Sequence, residues 1–394
     1  MKDKFYNLFV IIGEYAFYGL LFFIPISISF VEVFAALVLL GFVGRKIIKP
    51  DFKFIRFWPN SSLLLFLFFS ALSLLNSGRY LNISLHAIFG KWMQYLGLCI
   101  AIQDIIYNKK IVKRGTLIFL LSASLVVFSG LSQYFFGLEF LRNKSMIVMN
   151  SGMRAITSSF VHYNSFGAYL VVVLPLTGGI LLASNSFGPR AISLLIFSML
   201  STASIILTFS RGSWIALTCA FIFMLIFVKK NFKYLIPIFI VIIAMFLLPV
   251  FHDRILSIFK TEGDNDRFKY WYTAFNMIKR HPFFGIGVGT FMANFFEYSA
   301  KPAVRDAYAH NCYLQIWAET GIFSLISFIA FVISLVYLGI KKFLDSRDFL
   351  LLGLLSGVTG FLVHSFFEVN LYSLQLAFLF WIWAGLIIGK ARTV

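Results

Sequence analysis

The chain has 394 residues, 60% of them apolar and only 13% charged, with a mean hydropathy of +0.88. Soluble domains run at roughly 45–50% apolar, so a water-soluble core is excluded as the place for this much greasy surface. A net charge of +18 would suit nucleic acid in a polar protein, but here the excess Lys and Arg belong in loops beside anionic membrane lipid, and nucleic-acid binding is set aside.

Apolar stretches long enough to cross about 30 Å of hydrocarbon as helices recur from end to end. They predict an all-α, polytopic membrane protein with about 12 spans, near 7–24, 27–43, 61–75, 88–106, 116–136, 165–183, 191–208, 214–228, 233–250, 313–340, 349–366 and 372–389. The chain then divides into membrane helices over 1–250, a long outer loop over 251–312 and further membrane helices over 313–394. The first run contains Glu14 and Tyr15 and lacks a small-residue cleavage site, so it reads as a retained helix and not a signal peptide. Cys99 and Cys219 fall inside spans and Cys312 sits alone near an outer loop, which gives no disulfide framework.

With the N-terminus inside, twenty of the 34 Lys and Arg fall in inner segments, for example Arg45, Lys46 and Lys49 or Lys109, Lys110, Lys113 and Arg114. The short outer segments hold six: Arg79, Lys91, Arg142, Lys144, Arg154 and Arg211. This bias predicts cytoplasmic N- and C-termini. It gives no reason for the outer arginines.

Three outer segments carry groups suited to chemistry. The run from Arg154 through His162 and Asn164 to Tyr169 leads into the sixth span and offers a cation and several hydrogen-bonding groups; alone, it is also what any polar loop looks like. Ser210-Arg211-Gly212-Ser213-Trp214 breaks two apolar runs, with Ser213 able to cap the next helix. A guanidinium beside helix-start N–H groups suits a phosphate, although a loop arginine pairing with lipid headgroups reads the same way. In Ala309-His310-Asn311, a neutral imidazole at the start of the tenth span is suited to take a proton from a hydroxyl, the plainer reading being a helix-end cap. Glu319, nine residues on, falls on the opposite helix face and reads as structural. His162, His281 and His364 read as capping or packing residues.

The long loop predicts a helix over 267–280 that ends at His281-Pro282. Phe268, Trp271, Tyr272, Phe275 and Ile278 share one face, and Lys269, Thr273, Asn276 and Arg280 the opposite one, so this amphipathic helix is expected to lie flat at the membrane interface. Arg267, at the edge of the apolar face, should point toward headgroup depth, unless it only snorkels from a helix end. Asp264-Asn265-Asp266 resembles an acidic metal-holding triplet but reads better as a helix cap. Gly285-Ile286-Gly287-Val288-Gly289 lacks the strand that precedes a phosphate loop and reads as a turn, with amides that could face a diphosphate. No His/Cys/Glu set in the outer loops has metal-ligand spacing, so no metal and no cofactor are expected.

The order of these motifs, Phe160 through Tyr169, then Ser210-Arg211-Gly212-Ser213-Trp214, then Arg267 with His281-Pro282-Phe283-Phe284-Gly285-Ile286-Gly287, then Ala309-His310-Asn311 and Glu319-Thr320-Gly321, resembles the O-antigen ligase and polymerase superfamily over roughly 150–390. The resemblance implies a multi-pass protein of the bacterial inner membrane and an inverting, metal-independent transfer from an undecaprenyl-diphosphate-linked glycan donor. The acceptor is a hydroxyl of lipid A–core, or, in a polymerase, of a second lipid-linked glycan. It implies His310 as the catalytic base and Arg211, Arg267 and Arg154 as diphosphate-binding residues. Where some ligases carry a second histidine, this chain has Asn311. A lipid-linked glycan transporter is the reading from a different class, but it would want polar groups at the bilayer midplane, where few are found.

Overall fold

A computed structural model describes residues 2–51, 57–106, 108–149, 152–184, 188–228, 265–299 and 307–392. The described chain is almost wholly helical: α1 (Lys2–Phe23), α2 (Ile28–Ile48), α3 (Trp58–Leu72), α4 (Leu81–Ala87), α5 (Met93–Ile105), α6 (Lys109–Phe136), α7 (Tyr163–Leu182), α8 (Pro189–Leu207), α9 (Arg211–Phe227), α10 (Asn265–Arg280), α11 (Phe291–Tyr298), α12 (Cys312–Ser346), α13 (Phe349–His364) and α14 (Leu374–Arg392). The strands β1 (Ile147–Val148) and β2 (Arg154–Ala155) form a small antiparallel hairpin. Among the described residues nine helical stretches are long and apolar enough to cross a membrane, and α9 and α13 are shorter apolar helices. The expected span at 233–250 lies outside the described residues.

Helices α7, α13 and α14 form the centre, with nearly every side chain of α7 and α14 buried. Small residues set their spacing: a Cβ on Gly353 would press on the Pro175 carbonyl oxygen of α7, and one on Gly360 would meet Val171 and Ala220. Lipid offers no hydrophobic drive between helices, so close approach at small residues is what holds such a bundle. The outer helices turn large apolar side chains outward instead, as at Phe128, Leu117, Ile196 and Ile226, which suits contact with acyl chains.

Two expectations need correction. The tenth span is not one helix: Gly321 has φ 82° and ψ 174°, so α12 is a short piece, 312–320, joined at an elbow to the long apolar piece 322–346. Hydropathy runs straight through this break. The segment after α10 straps the elbow. Ile286 N–H donates to the Ala318 carbonyl (3.0 Å) and Gly287 N–H to that of Glu319 (3.0 Å), while Ile322 N–H donates to Pro282 (3.0 Å), so backbone groups orphaned by the break find partners. Glu319, fully buried, accepts from Gly289 N–H (2.8 Å), Phe291 N–H (3.2 Å) and Gln315 Nε2 (2.9 Å). The glycine loop amides are therefore taken up inside the protein, those of Ile286, Gly287 and Gly289 by α12 and those of Gly285 and Val288 by the His281 carbonyl and Ser73 Oγ, and do not face a diphosphate.

The second correction concerns α10. Part of the face expected to look away from the membrane packs instead: Thr273 is 1% exposed and Asn276 donates to the Tyr298 carbonyl (2.9 Å), with Ala274 and Met277 buried beside them, while Lys269 and Arg280 stay exposed. The aromatic face of Phe268, Tyr272 and Phe275 points outward, where an interfacial helix would present it to lipid. Ile278, counted on that face, is buried.

Candidate active site

The starts of α7, α9 and α12 and the end of α13 meet at one end of the bundle. Asn311 Oδ1 caps α12 by accepting from Tyr313 N–H (2.9 Å) and Leu314 N–H (3.0 Å). On the other side of His310, Ala309 N–H donates to Gln315 Oε1 (2.9 Å), and Cys312 N–H reaches the Ser365 carbonyl (2.8 Å). Clamped on both sides, His310 takes φ 47°. The left-handed region is uncommon for a residue with a Cβ, though histidine visits it more readily than most.

This geometry delivers the imidazole to Glu368, which the sequence reading did not single out. Nδ1 of His310 lies 3.0 Å from Glu368 Oε2. Arg267 Nη2 lies 3.2 Å from Oε1, which also accepts from Asn164 Nδ2. One carboxylate thus joins α7, α10 and the His310 turn. Burial works to raise the Glu368 carboxyl, but the hydrogen bond with His310 and the charges of His310 and Arg267 outweigh it and hold the group below its ordinary value. Tyr270, one turn from Arg267 on α10, stacks on the His310 ring with centroids 5.5 Å apart.

A cavity of about 190 Å³ opens beside these groups, lined by His162, Asn164, Tyr308, His310, Glu368 and Tyr372 among others. The His162 ring accepts from Asn164 N–H (3.2 Å) and so caps α7; burial lowers its pKa, with Glu368 opposing.

Arg211 is the first residue of α9, whose cap is Ser210. Gly212 lies against the side chain of Phe367, so the Arg211 turn abuts the segment that carries Glu368. The contact is fixed from behind: Ser213 Oγ lies 3.0 Å from His364 Nε2, and the other nitrogen of that ring lies 3.0 Å from Asn370 Nδ2. Arg154 is placed differently. It sits exposed on β2, and among the described residues its side chain makes no hydrogen bond or ion pair.

Of the expected site residues, then, His310 and Arg267 share Glu368, Arg211 stands beside them through Phe367, and Arg154 stays apart on the hairpin. The missed signal at Glu368 was local: it is the sole acid in the short polar segment between the last two spans, at the membrane end where His310 also falls. No curated protein matches the chain. Residues 196–329 match the family model described as O-antigen ligase, a stretch that takes in Arg211, Arg267 and His310 and stops short of Glu368. The chain is a multi-pass helical membrane protein whose residues 196–329 are similar to the O-antigen ligase family.

Proposed function

We propose that this chain moves glycan from undecaprenyl diphosphate to a hydroxyl of lipid A–core at the outer face of the bacterial inner membrane, with inversion and without a metal. The observation that carries the reading is the 3.0 Å contact between His310 and Glu368, with Arg267 on the same carboxylate. An ionised carboxylate only accepts hydrogen bonds, so the shared proton belongs to Nδ1 and the lone pair of Nε2 is left for substrate. As the acceptor oxygen bonds to the anomeric carbon, Nε2 takes its proton. The bond from that carbon to the diphosphate oxygen breaks, and the electron pair departs on the phosphate.

Arg211 and Arg267 receive that charge, helped by the amide-rich start of α9, and Arg154 serves as a third donor-side cation. Two lipid-anchored substrates held at one depth supply proximity without a soluble binding domain. The twenty-to-six distribution of basic residues supports cytoplasmic termini and an outward site, with 1–250 and 313–394 in the membrane and 251–312 outside. The test is transfer by purified protein in chelator, offered the lipid-linked donor with lipid A–core in one arm and a second lipid-linked glycan in the other. Product in the first arm is expected. Product confined to the second would make the chain a polymerase, and product in neither a protein of another class.

A further inference from the structure

At the end of the bundle opposite His310, a groove of about 960 Å³ opens between α6 and α8, floored by α7 and by the ends of α12, α13 and α14. Its trough is apolar, walled by Leu117, Leu121, Leu194 and Phe197. Its mouth carries Lys109, Lys113, Arg190, Lys342 and Lys390, against a single carboxylate, Asp348, whose Oδ2 lies 2.7 Å from Lys390 Nζ. Helices α6 and α8 both begin there, which adds two positive helix ends.

Lys390 is taken up by Asp348, while Lys109, Lys113 and Arg190, gathered at the top of an apolar trough, repel one another unless an anion joins them. The dimensions say which kind. From Lys109 to Ser124, both on the lining, α6 rises roughly 22 Å at 1.5 Å per residue, and half a bilayer's hydrocarbon is about 15 Å. A headgroup together with one leaflet's depth of acyl chain fits that length. We propose that this groove binds an anionic glycerophospholipid of the bilayer, its phosphate among Lys109, Lys113 and Arg190 and its acyl chains along the trough between α6 and α8. The site is separate from the transfer chemistry and does not depend on it.

The full chain, purified in detergent and mixed with equal phosphatidylglycerol and phosphatidylcholine, should retain the anionic lipid in preference by at least about tenfold, a floor under the roughly hundredfold expected of three cations at a membrane surface. Changing Lys109, Lys113 and Arg190 together to Gln should abolish the preference. The same change at Lys2, Lys4 and Lys341, which lie outside the lining, should leave it intact. Ser193→Trp, which narrows the trough and removes no charge, should also lower retention, and inorganic phosphate should not reproduce the thermal stabilisation given by phosphatidylglycerol. No preference in the wild type, equal loss in both triple variants, full retention in Ser193→Trp or equal stabilisation by phosphate would each overturn the proposal.

Discussion

Ser213 Oγ and His364 Nε2 lie 3.0 Å apart across 151 residues of sequence, and both side chains are fully buried. This bond ties the helix that starts at Arg211 to the turn that ends at Glu368. The sequence reading gives His364 a packing role, and the structure makes that role a costly one to lose. His364→Ala leaves Ser213 and Asn370 short of a partner and opens a cavity, so it should destabilise by about 2–4 kcal/mol. Thermal unfolding in detergent checks this; an unchanged midpoint would mean that the bridge contributes nothing.

Glu368→Gln keeps the shape of the side chain and removes its charge, so His310 loses the acceptor that fixes its tautomer. Turnover should fall at least about a hundredfold, as should that of His310→Ala, with donor binding retained in the latter. Stability gives an independent reading. Because the folded Glu368 carboxyl lies below its ordinary 4.5, its contribution is present above that value and is lost as pH falls through the lowered one. Acid unfolding of Glu368→Gln should therefore be less steep below that ordinary value than that of the wild type. Identical acid limbs would remove the carboxylate from this account.

If Arg211 grips a diphosphate with its planar fork, Arg211→Lys should lose donor binding nearly as badly as Arg211→Ala at normal expression. Arg267→Ala should impair transfer, whereas Lys269→Ala, which changes an exposed residue of the same helix, should leave it within about twofold. Equal losses at 267 and 269 would reduce Arg267 to a generic surface charge.

Gly321→Ala forces a Cβ into the Phe283 carbonyl oxygen at a backbone conformation that L-residues rarely adopt, and should cost at least about 3 kcal/mol. Gly78→Ala makes a useful contrast: φ there is 50° with nothing within 4 Å, so it should cost only about 1–2 kcal/mol. Similar unfolding midpoints for the two would show that the strap at 282–287 yields easily.

The membrane helices were legible because hydropathy over some twenty residues is a strong, local signal; α7 and α14 begin within two residues of their expected starts. The break at Gly321 was not, since a single residue in an apolar run leaves the average unchanged. The buried face of α10 was misread for a related reason. On a helix that meets lipid on one side, small residues such as Thr273 and Ala274 mark the protein contact, and the large aromatics mark the bilayer. Glu368 escaped because nothing periodic surrounds it; its importance comes from Asn164, Arg267 and His310, which reach it from positions 204, 101 and 58 residues away.

The elbow at Gly321 is held on both arms, by Ala318 and Glu319 on one side and Ile322 on the other, so it acts as a splint and not as a joint. The arm that crosses the bilayer and the arm that begins beside His310 turn as one body. A bilayer that thickens or thins changes the tilt of such a helix, and a splinted elbow carries that tilt toward the His310 turn. On the proposed chemistry, the depth at which an acceptor hydroxyl meets His310 would follow the thickness of the membrane around the protein.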